Sequence, residues 1–217
     1  MKVENVAYVR SAGSLAECPP RPLPEIAISG RSNVGKSSLL NTLLVRRQLA
    51  RVSSTPGKTQ RLHFFLVNGS FHLVDLPGYG YARAPAGVQQ AWKGMMQGYL
   101  RGRRQLCGVV QLVDARHDPS REDRQMVEWL RSEQVAFCLV PTKMDKLRHG
   151  ERKSALERIL SVLELPGDQP VVPYSSETGE GRLALLDWIA ETAAAGRSGS
   201  RGSARPMQGD PPQGDGN

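Results

Sequence analysis

Residues 30–37 read Gly30-Arg31-Ser32-Asn33-Val34-Gly35-Lys36-Ser37, a G-x-x-x-x-G-K-S run. It follows Glu25-Ile26-Ala27-Ile28-Ser29 and precedes Ser38-Leu39-Leu40-Asn41-Thr42-Leu43-Leu44. The spacing predicts a buried strand, a tight loop and a helix in that order. Glycines at both ends let backbone N–H groups turn inward around an anion, the lysine reaches β- and γ-phosphates, and the serine hydroxyl is a Mg²⁺ ligand. Whatever the chain folds into must present this strand–loop–helix to a nucleoside triphosphate.

The rest of the pattern agrees with that demand. Strand-like runs recur at 26–29, 62–67, 71–74, 109–113, 136–140 and 171–172, with a further short one expected at 6–9. Asn68-Gly69-Ser70 marks a hairpin between the second and third of these. Helical periodicity fills 88–100, 121–131, 151–163 and 183–195, the second opening on Ser120 with Asp123 three residues on, a cap signature. Strands alternating with helices predict an α/β fold with a mostly parallel sheet. The chain of 217 residues fits one domain at 25–195, preceded by a lead-in at 1–24 and followed at 196–217 by a Gly/Ser/Pro/Arg-rich tail expected to be disordered. There are no internal repeats, no run of about 20 apolar residues to span a bilayer, and no apolar core in the first residues to suggest a signal peptide. A cytoplasmic protein is expected. Cys18, Cys107 and Cys138 are odd in number and widely spaced, and read as small hydrophobes rather than as a zinc site or disulfides.

Three further motifs narrow the chemistry. Asp75-Leu76-Pro77-Gly78 closes the run Phe71-His72-Leu73-Val74. An acid at the end of a strand beside the phosphate loop is placed to hold Mg²⁺ through a water, and a glycine there brings its N–H close to a γ-phosphate. Thr142-Lys143-Met144-Asp145 follows the run 136–140. A carboxylate at Asp145 accepts from guanine N1–H and the exocyclic amine, which adenine lacks, while Lys143 lays its stem along the base. Tyr174-Ser175-Ser176-Glu177 follows the last expected strand and offers backbone N–H groups to guanine O6. Between the first two motifs lies Ser53-Ser54-Thr55-Pro56-Gly57-Lys58-Thr59-Gln60, where Thr55 and Thr59 both qualify chemically to complete the Mg²⁺ shell.

Charge is unevenly spread. Residues 45–104 carry Arg46, Arg47, Arg51, Lys58, Arg61, Arg83, Lys93, Arg101, Arg103 and Arg104 against the single acid Asp75, a net +9 in a chain whose total is +8. A concentrated basic stretch suggests a polyanionic partner such as RNA. No Lys/Arg-rich amphipathic helix with an aromatic face points to a membrane surface.

Together these motifs resemble the EngB (YihA) family of bacterial ribosome-biogenesis GTPases, in the translation-factor-related class. The resemblance is carried by the phosphate loop, Thr55-Pro56-Gly57-Lys58-Thr59-Gln60, Asp75-Leu76-Pro77-Gly78-Tyr79-Gly80-Tyr81-Ala82, Thr142-Lys143-Met144-Asp145 and Ser175-Ser176, and covers about residues 5–193. It implies a Ras-like fold with a six-stranded, mostly parallel sheet, one antiparallel edge strand and helices on both faces. It also implies Mg²⁺-dependent binding of GTP and GDP with GTP hydrolysis, help in assembling the large ribosomal subunit, and a need for it in cell division and septation; a monomer is expected, with rRNA contacted through the basic residues 45–104.

By motif position the resemblance gives the Mg²⁺ contacts to Ser37 and Thr59, with Asp75 acting through water, and the catalytic contacts to Lys36, Thr59 and Gly78. Nucleotide contacts are expected from Gly30, Arg31, Ser32, Asn33, Val34, Gly35, Lys36 and Ser37, from Gly57, Lys58, Thr59, Gln60 and Arg61, and from Asp75, Leu76, Pro77 and Gly78. Thr142, Lys143, Met144, Asp145, Tyr174, Ser175 and Ser176 complete the set. Asn33 stands where Era-like relatives hold an activating K⁺, though a loop-stabilising hydrogen bond is an equal reading of the residue itself. Tyr79 follows Gly78 where Ras-type GTPases carry a water-orienting glutamine, so slow turnover is expected. The competing readings are a GTP-dependent RNA-binding module with negligible turnover and a P-loop ATPase or kinase.

Overall fold

In a computed structural model, which describes residues 1–45, 61–80 and 86–199, six strands and five α-helices follow one another: β1 (Val6–Ala12), β2 (Glu25–Gly30), α1 (Lys36–Leu43), β3 (Leu62–Val67), β4 (Phe71–Asp75), α2 (Ala86–Gly102), β5 (Leu106–Asp114), α3 (Arg121–Ser132), β6 (Phe137–Thr142), α4 (Arg152–Val162) and α5 (Arg182–Gly199). The strands form one sheet in the order β1-β3-β4-β2-β5-β6. β4, β2, β5 and β6 are parallel neighbours, and β3 runs against both β1 and β4.

The expected six strands are present with one exchange. The run at 171–172 makes a single bridge from Val171 to Leu139, because Pro170 and Pro173 flank it and cannot donate to a ladder. The sixth strand is β1, seven residues long where four were expected. It covers β3, so the reversed strand lies one place in from the edge. Asn68 ties this corner together. At φ 49°, followed by Gly69 at φ 65°, it makes the hairpin turn, and its side-chain carbonyl accepts from the Glu4 and Asn5 amides at 2.9 and 3.0 Å.

Alternation along β2 builds the two halves of the core. Ile26 and Ile28 pack with Leu39, Leu40 and Leu43 of α1 and Leu185, Leu186 and Ile189 of α5. Ala27 faces Met96, Tyr99 and Leu100 of α2 with Val127 and Leu130 of α3. α3 opens on the expected cap: Asp123 N–H donates to Ser120 Oγ at 3.2 Å and Ser120 N–H to Asp123 Oδ2 at 2.8 Å. α5 runs to Gly199, four residues into the segment expected to be a disordered tail. The remaining tail, 200–217, lies outside the described residues. Among the described residues no helix is long and apolar enough to cross a membrane.

Candidate nucleotide site

The C-terminal ends of β2, β4, β5 and β6 bring the motifs to one edge of the sheet, where an open α/β fold places its ligand. After Gly30 the chain turns through Asn33 at φ 64° and Gly35 at φ 108° before α1 starts. Gly35 is the N-cap and supplies no side-chain bond, so the first amides of α1 are open to an anion at the positive end of the helix. Ser37, exposed in the first turn, presents its hydroxyl there.

The loop is held from three sides. Ser32 donates to the Tyr79 carbonyl from its amide at 3.0 Å and its hydroxyl at 3.2 Å. Gly78 passes so close that a Cβ on it would sit 3.2 Å from Ser32 Oγ. Thr142 Oγ1 donates to the Val34 carbonyl at 2.6 Å. Lys143 Nζ crosses the loop to the Asn33 carbonyl at 2.7 Å. Lys36 bonds Asp75, the last residue of β4, which is buried. The ammonium has further donors to offer phosphate oxygens, and the Lys36 side chain stays 15% exposed.

At the base end Asp145 accepts from Ser175 Oγ at 2.7 Å, and Lys146 Nζ lies 3.2 Å from its second oxygen. Burial alone would raise the Asp145 carboxyl, but these bonds hold it below its ordinary value and keep it ionised. Ser175 Oγ also accepts the Glu177 and Thr178 amides, both at 3.2 Å. Its neighbour Ser176 is half-buried in the same loop.

Several of the expected residues have side chains committed to the framework. Thr142 is buried, its hydroxyl committed to Val34 and, at 3.1 Å, to the Val113 carbonyl, so it shapes the loop rather than touching a base. Leu76 and Met144 are core side chains. Tyr174 is also buried and bonds Thr42 of α1 at 3.0 Å. Arg61 points away to the β1 edge, where it binds Ser11 Oγ at 3.0 Å and pairs with Glu17. Gly57, Lys58, Thr59 and Gln60, with the alternative Thr55, lie outside the described residues.

Part of the basic stretch is engaged within the chain. Of its cations with described side chains, Arg61 pairs with Glu17, Arg101 with Glu133 at 2.6 Å and Arg103 with buried Glu25 at 2.6 Å, while Arg104 is exposed. Three arginines read as a polyanion footprint thus serve their own chain. Arg46, Arg47, Arg51, Lys58, Arg83 and the Lys93 side chain lie outside the described residues.

Sequence reasoning missed two groups. Asp114 ends β5 and bonds both Lys143 and Arg116; its signal was the one used for Asp75, an acid closing an apolar strand. Tyr79 was read only as an absent glutamine. Its phenol is buried, donates to Asp123 Oδ1 at 2.7 Å and accepts from Gln111 Nε2 at 2.6 Å. Burial first, then the Asp123 charge, push its pKa well up, so it stays neutral.

Residues 25–143 match the family described as 50S ribosome-binding GTPase, and residues 95–195 match the elongation factor Tu GTP-binding domain. GTP-binding protein EngB of Pelotomaculum thermopropionicum is 49% identical over 189 residues, covering 87% of this chain and 96% of its own length. The chain belongs to the EngB family. It is a GTP-binding protein and a GTPase. EngB of Halothermothrix orenii is 47% identical over 87% of this chain and 96% of its own. The fold matches a crystal structure of an EngB protein with TM-score 0.66 at 22% identity, over 79% of this chain and 99% of that one. Era bound to MgGDPNP and a segment of 16S ribosomal RNA matches with TM-score 0.56 at 21% identity, over 78% of this chain and 56% of that one.

The residues fit the Mg²⁺ that accompanies GTP in such proteins. Mg²⁺ takes oxygen ligands, keeps several waters and leans on one or two protein groups plus phosphates. The donors here are oxygens alone: the Ser37 hydroxyl, and Asp75, held beside Lys36 at the first turn of α1. When bound, the ion would neutralise charge on the phosphate oxygens. The protein's share would be to bind and orient: open amides and Lys36 facing the phosphates, Gly78 packed against the loop, and an ionised Asp145 available to the base.

Proposed function

We propose that this EngB-family chain is a slow GTP-driven switch that assists assembly of the large ribosomal subunit in the cytoplasm, with normal division and septation depending on that assembly. The observation that carries the slow step is the Tyr79 phenol, turned into the core between Gln111 and Asp123. A side chain committed there does not orient an attacking water, and phosphoryl transfer depends on such positioning. The backbone of the same residue holds Ser32, so a γ-phosphate contact at Gly78 would bear directly on the link between loop and α3. The name of the matched family, 50S ribosome-binding GTPase, supports the large subunit as partner. RNA contact rests on Arg104 and the cations at 46–58, 83 and 93 rather than on Arg61, Arg101 and Arg103.

Single-turnover hydrolysis tests the catalytic part. Tyr79→Phe is expected to leave the rate within about twofold of the parent, because the hydroxyl does no chemistry; a drop of tenfold or more would overturn this. Asn33, exposed and at φ 64°, is the site proposed for a stimulating K⁺, and equal rates in matched KCl and NaCl would remove that role. Cosedimentation with large-subunit precursors, with GTP analogue and with GDP over a salt series, tests the partner. Tighter, salt-sensitive binding with the analogue is expected, and equal salt-insensitive binding would reject it. A GTP-dependent module without turnover would show the same binding and no hydrolysis above background.

A further inference from the structure

Lys143 occupies an unusual position for a residue that must lie along a base. Its backbone has φ 62°, in the left-handed region that L side chains rarely adopt. Local preference does not place it, so its neighbours must. Two acceptors do so: the Asn33 carbonyl at 2.7 Å and Asp114 Oδ2 at 2.9 Å.

Asp114 is itself fixed. It is the last residue of β5 and pairs in register with Thr142, immediately before Lys143. Arg116 clamps the carboxylate on both oxygens. Its amide and Nε donate to Oδ1 at 3.2 and 2.9 Å, and Nη2 donates to Oδ2 at 2.8 Å. Turning the carboxylate away from Lys143 would break these bonds. Burial would raise the Asp114 carboxyl, yet the bonds from Arg116 and Lys143 hold it well below the usual carboxylate range. Neither the phosphate loop nor the Thr-Lys-x-Asp motif contains this residue, yet it buttresses the Nζ that joins the two through the Asn33 carbonyl.

We propose that Asp114 is a positioning residue for the guanine nucleotide, fixing the Lys143 side chain across the phosphate loop without touching the ligand itself. The inference rests on Lys143 lying along the bound base. Without Asp114, Nζ keeps only the Asn33 carbonyl, the four-carbon stem regains rotamers, and binding must freeze them again. The effect should appear as faster nucleotide release rather than slower capture, because the stem closes over a ligand already docked at the phosphates.

Equilibrium binding and dissociation of fluorescent GDP from the full chain test this with Asp114→Ala, Asp114→Asn, Lys143→Ala and the Asp114→Ala/Lys143→Ala double variant. Asp114→Ala is expected to weaken GDP about tenfold, the scale of immobilising one long side chain, with most of the change in release. Asp114→Asn keeps an acceptor for Nζ in the same shape and is expected to fall between. In the Lys143→Ala background the Asp114 change should cost less than about twofold, since the two act as a unit. A full tenfold loss in that background would show a general structural role and overturn the proposal, as would a silent Asp114→Ala beside a weakened Lys143→Ala. An unchanged affinity in Lys143→Ala would instead overturn the base-site reading, and the inference with it. Matching melting temperatures for parent and Asp114→Asn keep the comparison free of a folding defect.

Discussion

A carboxylate–cation pair lies beside each end of β2, and the pairs do opposite work. At the start of the strand Glu25 is fully buried, and its oxygens accept from Arg103 Nη2 at 2.6 Å, Arg103 Nε at 3.0 and 3.1 Å, and Tyr99 at 2.9 Å. Arg103 Nη2 continues to the Pro19 carbonyl at 2.7 Å. At the other end Lys36 meets Asp75 through one oxygen and keeps part of its surface in solvent. A saturated, bidentate pair has nothing left to offer a ligand and welds the end of α2 and the lead-in to the sheet. A point charge on a flexible stem keeps donors in reserve and can exchange a carboxylate for a phosphate. The same chemistry makes framework in one place and a site in the other, and saturation separates them.

Breaking the framework pair should give the largest effect. Arg103→Ala leaves Glu25 buried and uncompensated and is expected to cost about 3–5 kcal/mol of stability in urea melts, with GDP affinity little changed well below the transition. A large affinity loss with stability intact would erase the distinction. Lys36→Met should do the reverse, weakening GTP about a hundredfold through lost charge-assisted bonds while lowering the melting transition less than Arg103→Ala does. Titration calorimetry beside thermal denaturation measures both.

A smaller effect separates the two ends by pH. His72 sits 3.9 Å from Glu25, but burial first, then Arg103 and Arg21, lower its pKa; Glu25's charge is already engaged by Arg103. The folded value lies below the unfolded value of about 6.5, so the neutral ring is the stabilising form. That stability is fully present above about pH 6.5 and is lost as pH falls toward the folded value, at most about 1.4 kcal/mol per pH unit for one proton. His72→Gln should flatten urea midpoints between pH 7.5 and 5.5, a window of about two units below and around that value. An unchanged slope would assign the loss to other groups, His63 among them, whose pKa burial also lowers. The smallest change belongs to the exposed pair of Arg101 and Glu133: Arg101→Ala should cost less than about 1 kcal/mol, and a larger loss would show that this arginine is also framework.

What could be read from sequence follows the same division. The phosphate loop was legible because residues 30–37 are contiguous and their order states their chemistry. Asp75 and Asp145 were legible as acids following apolar runs, whereas Ser175 was expected only for its backbone N–H and not for the hydroxyl it gives to Asp145. The pairings that lock the framework were not legible, because they span long stretches of chain: Tyr79 and Asp123 are 44 residues apart, and Arg103 and Glu25 are 78. Arg103 looks like any arginine of a basic surface until Glu25 is seen beneath it. Thr142 and Tyr174 sit inside binding motifs yet are buried, their hydroxyls bonded to the Val34 carbonyl and to Thr42. The strand at 171–172 was lost to its flanking prolines, and β1 was half seen because its anchor, Asn68, reads as a turn residue.

The register shift in β1 between Tyr8 and Arg10 bears on how copies of this chain meet one another. An outermost strand of seven residues with exposed Tyr8 and Val9 would otherwise offer a ruler-straight ladder for a neighbouring chain to extend. The bulge twists that ladder out of phase, and exposed Arg10 adds a charge to the edge. A strand that completes the sheet on its inner side is, on its outer side, a guard against aggregation.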